Sequence, residues 1–264
     1  MIIFIFSLFG LSFGSFVSML SHRLPLNHDV VFKRSHCPKC NHNLSLIDLI
    51  PLFSWLLNNG KCRYCDKPIS VRYPLIEITT SFLFAFTVSV IGLNHYSYLI
   101  LTLVIFLVTL SVIDFEHYII PDSLQIILFI LAIIWSYLAN YTISYIIISG
   151  ITGFLSSYGI GALYKLVRHK DGLGFGDVKF ILTISIFIGY QNLVFFYLLS
   201  GLFGAVNGLI WQYMFKSNLF PFGPSLALSL FLCLIIPLLF GISWSENIDI
   251  IEVLIFSNSN YFLK

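Results

Sequence analysis

Apolar residues run along most of this chain in blocks of 13 to 22, separated by short polar or turn-forming clusters. The blocks cover about 1–20, 74–92, 96–113, 123–140, 143–164, 178–190, 193–214 and 224–243. A bilayer-spanning helix needs about 20 mainly apolar residues. The pattern therefore predicts an all-α polytopic membrane protein with about eight transmembrane helices. The sixth block is short, since 13 residues rise only about 20 Å in a helix. The stretch 178–214 admits another division around Gly189 to Asn192.

Composition agrees. Hydrophobic residues make up 58% of the 264 and charged residues 10%, against roughly 25% charged in an average soluble domain. A soluble chain must still show water a polar exterior, so lipid has to solvate most of this one. The net charge of +2 is too small to point to nucleic acid. Residues 1–20 lack the basic start and small-residue cleavage site of a secretory signal and read as a retained helix.

The placement of charge sets an orientation. Between residues 21 and 73 lie Arg23, Lys33, Arg34, Lys39, Lys61, Arg63, Lys67 and Arg72, eight of the 14 basic residues. The positive-inside rule puts that segment in the cytoplasm. Alternate threading then puts the amino terminus outside and the loops 114–122, 165–177 and 215–223 inside, with Lys165, Arg168, Lys170, Lys179 and Lys216 on the same face. Only Lys264 remains outside. Four parts follow: a first helix (1–20), a cytoplasmic loop (21–73), a membrane domain (74–243) and an extracytoplasmic tail (244–264). In that tail Glu246, Asp249 and Glu252 alternate with apolar residues, as in a short amphipathic surface helix.

The cytoplasmic loop carries Cys37-Pro-Lys-Cys40 and Cys62-Arg-Tyr-Cys65, with 21 residues between the pairs. This spacing suits a four-sulfur zinc site in which each pair closes a tight turn. Disulfide pairing is the rival, and a reducing cytoplasm opposes it. Four thiolates leave no open position for water or substrate, so the expected role is structural. His36 and His42 read as loop polar residues, and Cys233 as a small packing residue in an apolar span.

Carboxylates close to hydrocarbon are costly and mark function by default. Asp114 follows the third block in Ser111-Val-Ile-Asp114-Phe-Glu-His-Tyr-Ile-Ile-Pro121-Asp122, and Asp177 opens the sixth in Gly174-Phe-Gly176-Asp177. Both fall on the cytoplasmic face of the threading. The glycines before Asp177 permit a sharp turn and close approach. Two carboxylates brought to about 3 Å cannot both ionise and would share a proton, one acting as base and the other as acid. Helix capping explains the two aspartates equally well from residue type alone. Asp122 reads as a cap of the fourth span, Glu116 and His117 as facing water, and Asp171 as a solvated loop residue. Glu77, just inside the second span, calls for a partner such as Arg72 or a polar cavity.

Taken in order, these motifs resemble the type IV prepilin peptidases, membrane enzymes that process prepilins and pseudopilins. The resemblance runs through Gly14-Ser15-Phe16, Arg23-Leu24-Pro25, Cys37-Pro38-x-Cys40, Ile50-Pro51-Leu52-x-Ser54, Gly60-x-Cys62-x-x-Cys65, Arg72-Tyr73-Pro74-x-x-Glu77, the segment Asp114 to Asp122, Gly174-x-Gly176-Asp177 and Pro221-Phe222-Gly223-Pro224. It implies that Asp114 and Asp177 are the catalytic pair of an aspartic endopeptidase in the bacterial cytoplasmic membrane. The substrates implied are prepilins or pseudopilins with a short basic leader, cut on the cytoplasmic side after a glycine that precedes a hydrophobic helix. It also implies N-methylation of the new amino terminus with S-adenosylmethionine, in the region of the 21–73 loop. No glycine-rich nucleotide-binding turn occurs there, so that activity is expected from resemblance alone. Ser18 stands where the family commonly has asparagine, a departure that bears on methylation more than on proteolysis.

Three other readings compete: a peptidase that has lost methylation, a small transporter, and a non-enzymatic scaffold that uses the zinc loop to hold a partner. A transporter predicts acidic groups near the midplane on discontinuous helices, whereas both aspartates here fall at the cytoplasmic edge.

Overall fold

The computed structural model describes residues 1–26, 29, 34–170, 172–217 and 219–239. Among them the chain is helical without a strand, its sheet-like pairing limited to two isolated bridges in the cysteine loop. The expected tail helix (244–264), the last residues of the eighth block and Asp171 lie outside the described residues.

The helices are α1 (Ile2–Arg23), α2 (Phe53–Leu57), α3 (Arg72–Ile91), α4 (His95–His117), α5 (Asp122–Leu138), α6 (Ile143–Arg168), α7 (Phe175–Ile188), α8 (Leu193–Phe215) and α9 (Gly223–Leu239). All eight apolar blocks are helical. Length sorts them: α1, α3, α4, α6 and the Tyr190–Phe215 segment are long and apolar enough to cross a bilayer, while α5, α7 and α9 are shorter. The block 178–214 divides at Gly189, whose φ of +77° only glycine adopts without strain, followed by a 3-10 turn at Tyr190–Asn192.

α4 is the axis of the bundle. In its apolar window 61% of residues are buried, against 17% in α6 and 22% in α8, so the last two form the lipid-facing flank. Ile100, Leu103, Leu110 and Ile113 of α4 pack with Phe180, Ile184 and Phe187 of α7 and Leu230 and Leu234 of α9 in one continuous core. Exposed Ile147, Ile151 and Leu155 on α6, with Leu198 and Leu202 on α8, meet the hydrocarbon instead.

Lipid tails are as apolar as leucine, so helices in a membrane associate mainly by close packing of small residues. α1 illustrates this with Gly10 and Gly14 against α3. A Cβ at Gly10 would sit 2.6 Å from Ser81 Cα, and one at Gly14 2.5 Å from Glu77 Cα. The Ser81 hydroxyl donates to the Ser7 carbonyl at 2.8 Å across the same seam. This contact ties the chain on both sides of the cysteine loop together and brings its two ends to one edge of the bundle.

Candidate active site

The cysteine loop is built from two near-copies of one turn. The Cys37 amide donates to the His42 carbonyl at 3.0 Å and the Asn41 amide to the Cys37 carbonyl at 2.9 Å. The Cys62 amide donates to the Lys67 carbonyl at 2.9 Å and the Asp66 amide to the Cys62 carbonyl at 2.9 Å. Asn41 and Asp66 take the left-handed conformation, φ 56° and 54°, which these two residue types tolerate best after glycine. The four sulfurs lie within 4.8 Å of one another, and Zn–S bonds of about 2.3 Å require them about 3.8 Å apart. The donor set therefore fits one tetrahedral zinc closely, and when bound the metal would cross-link the two turns. Burial works against a Cys37 thiolate, but the Lys39 and Cys40 amides and neighbouring thiols outweigh it and bring the thiol down to about 7. His42 is not part of the cluster; its ring lies against that of Tyr64, tilted by 32° with 3.7 Å between centroids, and joins the two turns.

Asp114 lies in the last turn of α4, is 6% exposed, and its Oδ2 accepts a 2.7 Å bond from the amide of Gly223. A carboxylate near a helix C-terminus faces the negative end of the dipole, so capping does not account for it. The N-terminus of α9 offsets that cost by pointing an unsatisfied N–H at it. A Cβ at the donor position would come within 2.8 Å of Asp114 Oδ2, so any residue but glycine there displaces the carboxyl.

Asp177 lies in the first turn of α7. Its Oδ2 accepts from the Gly174 amide at 3.2 Å, so the capping role is realised here. The turn is clamped from α5: Gln125 Nε2 donates to the Gly176 carbonyl at 2.8 Å, and Lys179 Nζ pairs with Asp122 Oδ1 at 2.8 Å. The side chain of Ile120 packs under Gly176. Asp177 thereby stands at the same rim of the bundle as Asp114, where α4 ends and α5 and α7 begin side by side.

Two weaker sequence expectations need correction, and a third is decided between its alternatives. Asp122 makes no side-chain cap; it pairs with Lys179 because α5 and α7 start side by side. Glu116 does not simply face water, since Arg72 grips both of its oxygens and also reaches Ser21 Oγ at 2.8 Å. Of the two alternatives for Glu77 the polar cavity holds and Arg72 does not: Glu77 lines a cavity beside the cysteine loop, and its Oε2 accepts from the Leu52 amide at 2.7 Å. Nothing local in the sequence distinguishes these pairings, because each joins residues 25 or more positions apart.

Comparison with known proteins gives this geometry its context. The model of the type IV leader peptidase family matches residues 101–209, and that of the bacterial peptidase A24 N-terminal domain matches residues 8–91. Relatives named prepilin leader peptidase/N-methyltransferase are 31% identical in Aeromonas salmonicida (84% of this chain, 86% of the relative) and 32% in Vibrio cholerae (85% and 93%). The chain belongs to the type IV leader peptidase family. A third relative of the same name, from Pseudomonas aeruginosa, is 31% identical over 84% of this chain. No solved structure matches. The first match ends with α3 and the second begins within α4, so the cysteine loop belongs to one matched region and both aspartates to the other. This leader peptidase thus has two candidate sites: the aspartate pair, and the polar region around the cysteines and Glu77.

Proposed function

We propose that this leader peptidase cuts the basic leader of type IV prepilins or pseudopilins after glycine, on the cytoplasmic side, with Asp114 and Asp177 as its catalytic pair. The observation that carries the reading is the placement of both carboxyls at one rim of the bundle, with Asp114 buried and gripped by Gly223. The ionised carboxyl takes a proton from water as the water attacks the scissile carbonyl, and the protonated one polarises that carbonyl and then protonates the leaving amine. The pair titrates as a unit, so neither aspartate is assigned the proton. The charge distribution supports an orientation with the amino terminus outside and the aspartates on the cytoplasmic side of the inner membrane. In this orientation α5, α7 and α9 complete eight crossings.

A second activity completes the proposal. The relatives' shared name, prepilin leader peptidase/N-methyltransferase, supports methylation of the new amino terminus with S-adenosylmethionine. The Cys37, Cys40, Cys62 and Cys65 zinc orders the loop for that step. The test is cleavage of a prepilin in membranes by Asp114→Asn and Asp177→Asn separately. Each variant is expected to lose cleavage; full cleavage by either refutes the pair.

A further inference from the structure

The two contacts from α5 that clamp the turn of Asp177 differ in kind. The Lys179–Asp122 pair is exposed, so solvent screens it and it fixes little. Gln125 is 7% exposed, lies on the same buried stretch of α5 as Leu124 and Leu128, and donates from Nε2 to the Gly176 carbonyl at 2.8 Å. A carbonyl in the first turn of a helix already accepts a bond from the amide four residues on, so the Gly176 oxygen needs no second donor to be satisfied. The cost falls on Gln125 instead. Its Oε1 is buried without a partner, and an unpaired amide oxygen in an interior is unfavourable. Methionine at 125 would fill the seam without that penalty. What an apolar side chain cannot do is grip a peptide plane.

The plane gripped is the one that leads into Asp177. A peptide unit is flat, so a bond to the Gly176 carbonyl also orients the Asp177 N–H on the other side of the unit. That N–H donates to the Gly174 carbonyl at 3.0 Å, and the Asp177 carboxyl accepts from the Gly174 amide at 3.2 Å. Gly176 has no side chain of its own with which to anchor the unit. α5 is well placed to supply the anchor, because it follows α4 after the turn 118–121, and the last turn of α4 carries Asp114. A clamp from α5 ties the turn of one aspartate to the helix end of the other.

We infer that Gln125 is a positioning residue for peptide cleavage: its side-chain amide fixes the Gly176–Asp177 peptide and so sets the direction in which the Asp177 carboxyl meets the substrate. The inference rests on the reading of Asp114 and Asp177 as the catalytic pair and adds the residue that aligns one of them.

The test is steady-state cleavage of a prepilin by full-length Gln125→Met and Gln125→Glu, with thermal unfolding alongside. Methionine keeps the volume and removes the donor. Its kcat is expected to fall about 10- to 100-fold, as for a displaced catalytic group, with KM and the thermal midpoint near those of the wild type. In Gln125→Glu the introduced carboxyl donates to the Gly176 carbonyl only while protonated, and once ionised it repels both that oxygen and Asp177. The ratio of variant to wild-type rate is therefore expected to rise as the pH falls; the other titratable groups of this corner, Asp114, Asp122, Asp177 and Lys179, are present in both proteins. Wild-type kcat in Gln125→Met overturns the inference, as does a kcat loss accounted for by loss of folded protein, or a ratio that stays flat with pH in folded Gln125→Glu. If Gln125→Met does not fold, the ratio for Gln125→Glu decides alone. Asp114→Asn and Asp177→Asn assayed in parallel separate the two readings. Inactive aspartate variants beside an unimpaired Gln125→Met leave the pair standing without this inference, and full cleavage by either aspartate variant removes both.

Discussion

The amide of Gly223 donates to Asp114 Oδ2 at 2.7 Å, joining residues 109 positions apart at the rim of the bundle. The N-terminus of α9 thereby faces the C-terminal turn of α4, and opposed dipole ends stabilise a carboxylate that α4 alone would disfavour. Adding even one methyl group at residue 223 forces Asp114 to move. Displacements of about 1 Å in a catalytic group cost about 100-fold in rate. Gly223→Ala should therefore lower prepilin cleavage about 10- to 100-fold, with a thermal midpoint near that of the wild type. Cleavage kinetics in membranes, set beside thermal unfolding, check this, and an unchanged rate removes the role given to the Gly223 amide.

Arg72 holds both oxygens of Glu116 and the hydroxyl of Ser21, so α1, α3 and α4 meet at one guanidinium. The pair is partly exposed, with side-chain exposure of 20% and 34%, which limits its strength. Arg72→Ala and Glu116→Ala should each destabilise by about 1 kcal/mol, the double variant hardly more. Arg72→Lys should recover only part of the loss, because an ammonium cannot form the fork. A double-variant cycle by thermal unfolding in detergent reads the coupling directly.

The four cysteines should bind about one zinc per chain. Cys37→Ser together with Cys62→Ser is expected to abolish it, since each variant site leaves one thiolate per turn. Metal analysis of the purified protein checks the stoichiometry. Limited proteolysis should then cut within 35–69 in the variant and spare that stretch in the metal-loaded protein. A purified chain with four alkylatable loop thiols and no metal contradicts the zinc site.

The α1–α3 seam should tolerate no side chain at its glycines. A Cβ at Gly14 falls 2.5 Å from the Glu77 backbone, so Gly14→Leu has to push the helices apart. Overpacking of this kind costs typically 1–3 kcal/mol. Gly14→Leu should lower the thermal midpoint and disturb the cavity wall formed by Ser15, Ser18 and Glu77. Gly201, which has open space beside it, should accept alanine without loss. Thermal unfolding of the two variants side by side makes the comparison.

How much of this was legible in advance differs by feature. Among the described residues hydropathy located every helix that packs in the bundle, because partition into lipid depends on composition over about 20 residues. The Cys-x-x-Cys pairs announced their cluster, since ligand spacing is a local property and each turn closes on itself through its own amides. Asp114 and Asp177 stood out because ionisable groups at a membrane edge are expensive. Residue type alone still left both open to a capping role. The structure divides them: Asp177 does cap its own turn, while Asp114 sits at the wrong end of its helix for capping.

By itself, then, the sequence determined the solvent, the helical segments, the clustering of the four cysteines and the choice of two candidate aspartates. All of these are decided by residue type within a window of one turn or one span. Only the tertiary structure decided the partners: Gly223 for Asp114, Glu116 for Arg72, Lys179 for Asp122 and the Leu52 amide for Glu77. Those choices follow from which helix ends meet. Helix ends meet by close packing of small surfaces such as Gly10 and Gly14, which hydropathy does not register.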